Sequence, residues 1–222
     1  MEIRTTFHKR LKEIQNDVLV MGSMVEKAID RSVAALKQRD LKLAKQVIDD
    51  DQMINHKRFD IEEACVELIA TQQPMASDLR TIVSVLSIIT ELERIGDHAE
   101  GIAKIVLMIG DEPPLKPLID IPRMAEKTGE MLKRSLEAFI NHDAEAAKQI
   151  AAEDNEVDRL YDQVFRELLS FMAEDPKTIT RATRLIWVAH NLERSADRVT
   201  NICERVVFAV TGRMEEIGAS KY

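Results

Sequence analysis

Two acidic pairs, carried by two copies of one motif, are the groups of this sequence best suited to chemistry. Leu-Glu-Arg-Ile-Gly-Asp at 92–97 returns 100 residues later as Leu-Glu-Arg-Ser-Ala-Asp at 192–197. Residues four apart lie on one face of a helix, so Glu93 projects with Asp97 and Glu193 with Asp197. Each pair continues an apolar stripe, made by Ile82, Leu86 and Ile89 or by Ala182, Ile186 and Ala189. Carboxylates beside apolar residues need a neutralising partner, so the repeated pairs indicate a cation site.

A second helix in each half is expected to complete the site. Short turns near Pro74 and Pro176 join two long helical segments, which should form antiparallel hairpins. In a regular antiparallel hairpin, two residues on neighbouring helices lie opposite each other when their residue numbers add up to the same total for every such pair. The level partners are Asp51 with Asp97 and Asn55 with Glu93, then Asp154 with Asp197 and Asp158 with Glu193. Asn201 lies one turn beyond Asp197 on the same face.

Metal ions suit these clusters best, and a solvated acidic face is the alternative. Crowded carboxylates repel one another unless they are protonated or bound to cations. Oxygen donors suit divalent or trivalent ions such as Mg²⁺, Mn²⁺, Ca²⁺ or iron. Zinc is also possible, although the donors do not suggest a zinc finger. The predicted ligands are Asp51, Glu93, Asp97, Asp154, Asp158, Glu193, Asp197 and Asn201. The first site has the amide of Asn55 where the second has the carboxylate of Asp158.

Enzymatic motifs are missing from the sequence. None of the five histidines follows a glutamate by three residues, the spacing that carboxylate-bridged di-iron bundles need. There is no glycine-rich phosphate loop and no Gly-x-Ser-x-Gly. We therefore predict no catalytic residue and no organic cofactor. A metal-dependent carboxylate-bundle enzyme and a purely structural helical scaffold stay open as alternatives.

Composition narrows the class of protein further. The 222 residues are 4% aromatic and rich in helix-forming types, which favours an all-α fold. The net charge of −8 argues against nucleic-acid binding. Cys65 and Cys203 are isolated, which indicates a reducing compartment, and there is no signal peptide or membrane-spanning stretch. We expect a cytoplasmic protein, with Trp187 in its core.

Apolar periodicity predicts three helices in each half of the chain. The first breaks at Arg39-Asp40, where Asp40 is a suitable N-cap. The second ends near Pro74, and the third runs from about 77 to 109. A proline-rich linker at 111–117 separates residues 1–110 from residues 118–222, where the pattern repeats. The prediction is two tandem three-helix bundles related by an internal repeat.

These features together resemble the PhoU family, accessory proteins of the bacterial phosphate-specific transport system. Glu-Arg-x-Gly/Ala-Asp lies on the third helix of each repeat, within 92–103 and 191–202, which are similar to the two signatures of the family. The acidic starts of the second helices, at 49–51 and 153–154, also fit. The resemblance covers essentially the whole chain.

The resemblance implies a function that the residues alone do not. Such proteins are cytoplasmic negative regulators of the phosphate-starvation response and are not established enzymes. They act as adaptors between the ATPase subunit of the phosphate ABC transporter and a sensor histidine kinase, and so are peripheral to membrane complexes. Homodimers are common, and some members bind metal clusters through Glu/Asp-x-x-x-Asp motifs. When the ligand positions of the family are carried over to this sequence, the ligands are Glu93, Asp97, Glu193 and Asp197. Asp51, Asp154 and Asp158 would face them from the neighbouring helix.

Overall fold

The computed structural model describes residues 2–217, with side chains from residue 6 onward, and this part of the chain is all-α. The first half holds α1 (Glu2–Gln38), α2 (Leu41–Gln72) and α3 (Ala76–Ile109). The second half holds α4 (Asp120–Asn141), α5 (Ala144–Ala152), α6 (Asp154–Glu174), a short 3₁₀ helix (Pro176–Thr178) and α7 (Ile179–Thr211). No helix within residues 2–217 is long and apolar enough to cross a membrane.

The first turn of each repeat is built by the same local chemistry. Arg39 and His142 both adopt positive φ, which ends the helix before them. Asp40 then accepts hydrogen bonds from the backbone nitrogens of Lys42 and Leu43, at 3.0 and 2.9 Å. Its equivalent in the second repeat is Asp143, which caps α5. The predicted break and N-cap are confirmed, because a side-chain oxygen satisfies backbone N–H groups that lack a partner within the helix.

The second helix of the second repeat is interrupted, which corrects the expectation of one long helix. α5 ends at Ala152 and α6 begins at Asp154, with Glu153 between them. The nitrogen of Glu153 bonds to the carbonyl of Ile150, and that of Glu156 to the carbonyl of Glu153. Both bonds span three residues rather than four, so the helix tightens locally by one 3₁₀-like turn. The rest of the hairpin keeps the predicted course.

Both repeats share one core. α3 packs against α1, α2 and α7, and α7 packs against α3, α4, α5 and α6. Buried apolar side chains of all seven α-helices form one continuous cluster, which includes both cysteines. Trp187 is 50% exposed, so its predicted place in the core is wrong. The division of the chain into domains at 110 and 118 stays a prediction.

The two repeats meet along a seam between α3 and α7, which run antiparallel. Arg198 donates from Nη1 to Oε2 of Glu91 at 3.5 Å, and Nδ1 of His98 lies 3.1 Å from Oδ1 of Asn191. Residues 91 and 191, like 98 and 198, are equivalent under the repeat offset of 100. The two contacts are therefore reciprocal, the signature of an approximate two-fold axis through the seam.

Candidate metal centres

The second acidic cluster lies in a cavity of about 820 Å³ between α5, α6 and α7. The interruption at Glu153 starts α6 at Asp154, and helical periodicity then places Asp158 one turn further along the same face. All five residues predicted for this half line the cavity: Asp154, Asp158, Glu193, Asp197 and Asn201. The predicted hairpin register is also correct here. The residue numbers of Tyr161 and His190 add up to the same total as those of the pairs predicted for this half, and the two rings do lie close together, 6.1 Å apart.

Burial makes this cluster unfavourable as a set of bare anions. Burial first, and then repulsion from Asp158, Asp197 and Glu193, raise the pKa of Asp154 to about 7. Burial and repulsion from Asp197 likewise raise the pKa of Glu193 to about 7. Oδ1 of Asp154 and Oε2 of Glu193 are buried and have no hydrogen-bond partner among the residues that the structure describes.

Two basic side chains, Arg194 and His190, lie next to the cluster. Arg194 donates from Nη1 to Oδ2 of Asp197 at 2.5 Å. Nδ1 of His190 lies 3.3 Å from Oε2 of Glu193, but the angles of this contact are not those of a hydrogen bond. Burial and the positive charge of Arg194 lower the pKa of His190, which disfavours the charged imidazole and hence an ion pair with Glu193.

The first acidic cluster lies between α2 and α3. Asp51 is 9% exposed, and burial followed by repulsion from Asp97 and Glu100 raises its pKa to about 6. Burial also raises the pKa of Glu93 and Asp97, and repulsion from Asp97 adds to the first shift while repulsion from Glu100 adds to the second. Asn55 donates from Nδ2 to Oδ2 of Asp51 at 2.9 Å, which partly offsets the shift.

A close helix contact explains the glycine in the first copy of the motif. A Cβ on Gly96 would lie 3.2 Å from Cδ1 of Ile54 and 3.4 Å from Oδ1 of Asp51. The second repeat has the smaller Val157 in place of Ile54, and it has Ala196 in place of Gly96. The two exchanges compensate each other in volume, because the methylene group lost from Ile54 to Val157 is matched by the one gained from Gly96 to Ala196.

Glu91 connects the two copies of the motif across the seam, a role that sequence reasoning missed. Its carboxylate accepts from Arg94 at 3.3 Å, from Arg198 at 3.5 Å and from Asn201 at 3.2 Å. The amide nitrogen of Asn201 is therefore bound to Glu91, and its oxygen is the atom that a cation could use. Glu100, the second missed residue, is three positions after Asp97 and could have been found from helical spacing.

The donor types fit a hard metal ion, but the side chains as they stand do not converge on one. Within residues 6–217, no group of three or more Asp, Glu, His or Cys side chains is placed to hold a metal ion. The carboxylate of Asp197 is turned toward Arg194, and that of Asp51 toward Asn55. A metal would have to draw these carboxylates away from their present partners, while the unpaired oxygens of Asp154 and Glu193 need no such exchange.

Comparison with known proteins places the chain in a family. A family model described as the PhoU domain matches residues 18–106 and again residues 121–206. The chain belongs to the PhoU family. The "Phosphate-specific transport system accessory protein PhoU homolog" of Clostridium acetobutylicum is 37% identical over 96% of this chain and 98% of that protein.

Two solved structures of PhoU proteins share the fold. The PhoU crystal structure from Pseudomonas aeruginosa has a TM-score of 0.88 at 36% identity, and the match covers 93% of this chain and all of that one. The phosphate transport system regulatory protein PhoU from Streptococcus pneumoniae also gives 0.88, at 33% identity, over 94% of this chain and 99% of that one. The two domain matches confirm that the internal repeat is a repeat of PhoU domains.

Proposed function

We propose that this chain is a cytoplasmic negative regulator of the phosphate-starvation response, acting as an adaptor between the ATPase subunit of the phosphate ABC transporter and a sensor histidine kinase. The observation that carries the proposal is similarity over nearly the whole chain to proteins named as accessory to, or regulatory of, phosphate transport. The matches extend across both repeats, which supports carrying over a role that those proteins have as a whole.

An adaptor of this kind acts by differential binding rather than by catalysis. It can silence the kinase only if it binds the inactive state of the kinase more tightly than the active state. Moving an equilibrium from 1:99 to 99:1 takes a difference in affinity of about 10⁴-fold. Long helices in one continuous core suit this task, since they present extended and rigid surfaces to two partners.

A reporter of the phosphate response tests the regulatory role. The gene for this chain is deleted in its own bacterium, and alkaline phosphatase activity is measured in high phosphate. We expect the deletion to release the activity and a plasmid copy of the gene to repress it again. The purified chain should also bind the transporter ATPase subunit and the cytoplasmic part of the kinase in biolayer interferometry. An unchanged reporter together with absent binding would refute the adaptor role.

We further propose that each acidic cluster binds metal ions. The support is the concentration of oxygen donors, their raised pKa values and the two unpaired buried oxygens. The first site would use Asp51, Glu93 and Asp97. The second would use Asp154, Asp158, Glu193, Asp197 and the oxygen of Asn201. A bound cation would neutralise the mutual repulsion of the carboxylates and hold each hairpin closed.

Metal content and thermal stability together test this second proposal. Plasma mass spectrometry is applied to the wild type after incubation with Mn²⁺, Mg²⁺ or iron, and to Glu93→Ala/Asp97→Ala and Glu193→Ala/Asp197→Ala. We expect each double variant to lose metal and to lose the metal-dependent rise in melting temperature. At a metal concentration about 100 times the Kd, that rise corresponds to about 2.7 kcal/mol. If the wild type contains no metal and the double variants melt at a higher temperature than the wild type, the acidic clusters bind no metal ion. Sedimentation of the same samples tests the expected homodimer.

A further inference from the structure

The arginine of the second Glu-Arg-x-x-Asp motif binds the aspartate of the same motif. Nη1 of Arg194 donates to Oδ2 of Asp197 at 2.5 Å, and both side chains line the cavity of the second acidic cluster. Charge-assisted bonds as short as this one are among the stronger hydrogen bonds in proteins. One oxygen of a proposed metal ligand is therefore already occupied by a positive group of the chain itself.

The equivalent arginine of the first motif makes a different contact. Arg94 donates from Nη1 to Oε1 of Glu91 at 3.3 Å, and no hydrogen bond joins it to Asp97 within residues 6–217. Arg94 thus reaches three residues back along its helix, whereas Arg194 reaches three residues forward. The proposed ligand Asp97 is therefore not held by its arginine, while Asp197 is.

One exchange between the repeats accounts for this difference. Position 91 is a glutamate, and the equivalent position 191 is an asparagine. The amide of Asn191 is neutral and has other partners, since its Nδ2 donates to the carbonyl of Trp187 at 2.8 Å and its Oδ1 lies 3.1 Å from Nδ1 of His98. Arg194 has no carboxylate three residues before it, and it turns to the one that follows three residues after it.

The two arginines differ in this bond and not in the effect of their charge. Burial raises the pKa of Glu93, and the positive charge of Arg94 offsets part of the rise. Burial likewise raises the pKa of Glu193, and the charge of Arg194 offsets part of that rise. Each arginine therefore stabilises the ionised glutamate of its own motif. Arg194 in addition occupies an oxygen of Asp197.

We propose that Arg194 is an internal counter-ion, which competes with a metal ion for Asp197 and so lowers the affinity of the second site. A metal ion that binds there displaces the guanidinium toward solvent, where the arginine side chain is already 37% exposed. An ion with two or three charges gains more from the crowded carboxylates than singly charged arginine does, whereas a monovalent ion does not. The proposal rests on the proposed metal sites, and it names the residue that restricts the second one to multivalent ions.

Binding of Mn²⁺ to the second site alone tests the competition. Glu93→Ala/Asp97→Ala removes the ligands of the first site and serves as the parent protein, and free Mn²⁺ is measured by electron paramagnetic resonance. We expect Arg194→Met in this parent to bind Mn²⁺ about 15-fold more tightly, about 3-fold from the lost charge and about 5-fold from the lost ion pair. Arg194→Lys keeps a charge that can reach Asp197, so its affinity should stay within about 3-fold of the parent.

Arg94→Met is the matched control, because it removes the same charge from the first motif without removing a bond to a ligand. It is measured in Glu193→Ala/Asp197→Ala, which keeps the first site alone. We expect its affinity for Mn²⁺ to rise about 3-fold, the part that the charge contributes. Equal gains for Arg94→Met and Arg194→Met would show that charge alone acts, and they would overturn the proposal.

Thermal melts separate competition from a merely structural role of Arg194. In EDTA, Arg194→Met should melt lower than its parent, because Asp197 then has lost its counter-ion. The same concentration of Mn²⁺ should raise the melting temperature of Arg194→Met by more than that of the parent, because the tighter site gains more from the ion. A structural role would lower both melts equally, and that result would overturn the proposal.

The same measurements distinguish failure of this proposal from failure of the metal sites. If the parent binds Mn²⁺ and Arg194→Met binds it no more tightly, the competition is overturned and the metal site stands. If neither protein binds Mn²⁺, the second metal site fails and the competition fails with it. If Arg194→Met alone binds Mn²⁺, the competition is supported in its strongest form, because Arg194 then closes the site to the ion.

Discussion

At the residue scale, Asp154 and Glu193 are carboxylates that the fold shields from water, while one oxygen of each has no hydrogen-bond partner within the described part of the chain. An ionised group in that position destabilises the folded state, and the molecule can respond by taking up a proton or a cation. The raised pKa values express the first response. The proposed metal sites correspond to uptake of a cation. Proton uptake and metal binding compete, because both need the same carboxylate oxygens.

Asp154→Asn should therefore stabilise the metal-free protein at pH 8. The pKa of Asp154 rises from 3.8 to about 7 on folding, so the folded state binds more protons than the unfolded state between these values. Stability from this group is present at low pH and is lost as pH rises toward 7. Solvent screening of the partly exposed group limits the gain to about 1 kcal/mol, or roughly 2–4 °C in melting temperature.

Thermal melts in EDTA at pH 8 and pH 5 check this expectation. The gain should shrink at pH 5, where the native carboxyl group of the wild type is already protonated. Asp162→Asn, which changes an exposed carboxylate of the same helix, is the control and should give no comparable gain. A variant that melts lower than the wild type at pH 8 would show that the charge of Asp154 is stabilising as it stands.

At the scale of the elements, each repeat depends on an aspartate that starts its second helix. Asp40→Ala and Asp143→Ala should each lower the free energy of unfolding by about 1 kcal/mol, because each leaves backbone N–H groups without a side-chain acceptor. Urea denaturation should show a lower midpoint at an unchanged slope. Asp60→Ala removes an exposed aspartate from the interior of α2, and it should have a smaller effect. Equal losses in all three variants would contradict the capping role.

Local signals account for what the sequence could predict at this scale. The cap at Asp40, the turn at Pro74 and the spacing of Glu93 and Asp97 each depend on a few neighbouring residues, so pattern reasoning locates them. The interruption at Glu153 has no glycine or proline to announce it, since only the hydrogen-bond span changes. Trp187 was misplaced because its large apolar side chain suggests burial, while its position on α7 faces outward.

Long-range contacts account for most of what the sequence could not predict. The bonds of Glu91 to Arg198 and Asn201 join residues more than 100 positions apart, and no periodicity along the chain pairs them. The repeat offset relates equivalent residues, but it does not say that α3 packs against α7. Once that packing is known, the approximate two-fold axis follows from the offset alone. The bonding of Glu91 on α3 to Arg198 and Asn201 on α7 is therefore a property of the assembled molecule.

At the scale of the whole molecule, the continuous core predicts that the two repeats unfold together. Leu92 and Leu192 are fully buried and occupy equivalent positions on α3 and α7. Truncating either side chain should destabilise the protein by about 2–5 kcal/mol through the cavity that it leaves. If both repeats form one cooperative unit, Leu92→Ala must also destabilise the surroundings of Trp187, although that residue lies in the other repeat.

Urea denaturation followed by two probes tests this coupling. Far-UV circular dichroism reports on all the helices, and Trp187 fluorescence reports on the second repeat alone. We expect the two midpoints to coincide in the wild type and to fall together in Leu92→Ala and in Leu192→Ala. If Leu92→Ala instead lowered only part of the dichroism change and left the fluorescence midpoint in place, the repeats would be separate folding units. A partner bound to one repeat could then act on the other only through the α3–α7 seam, whereas one cooperative unit carries a change at either acidic cluster to the entire surface.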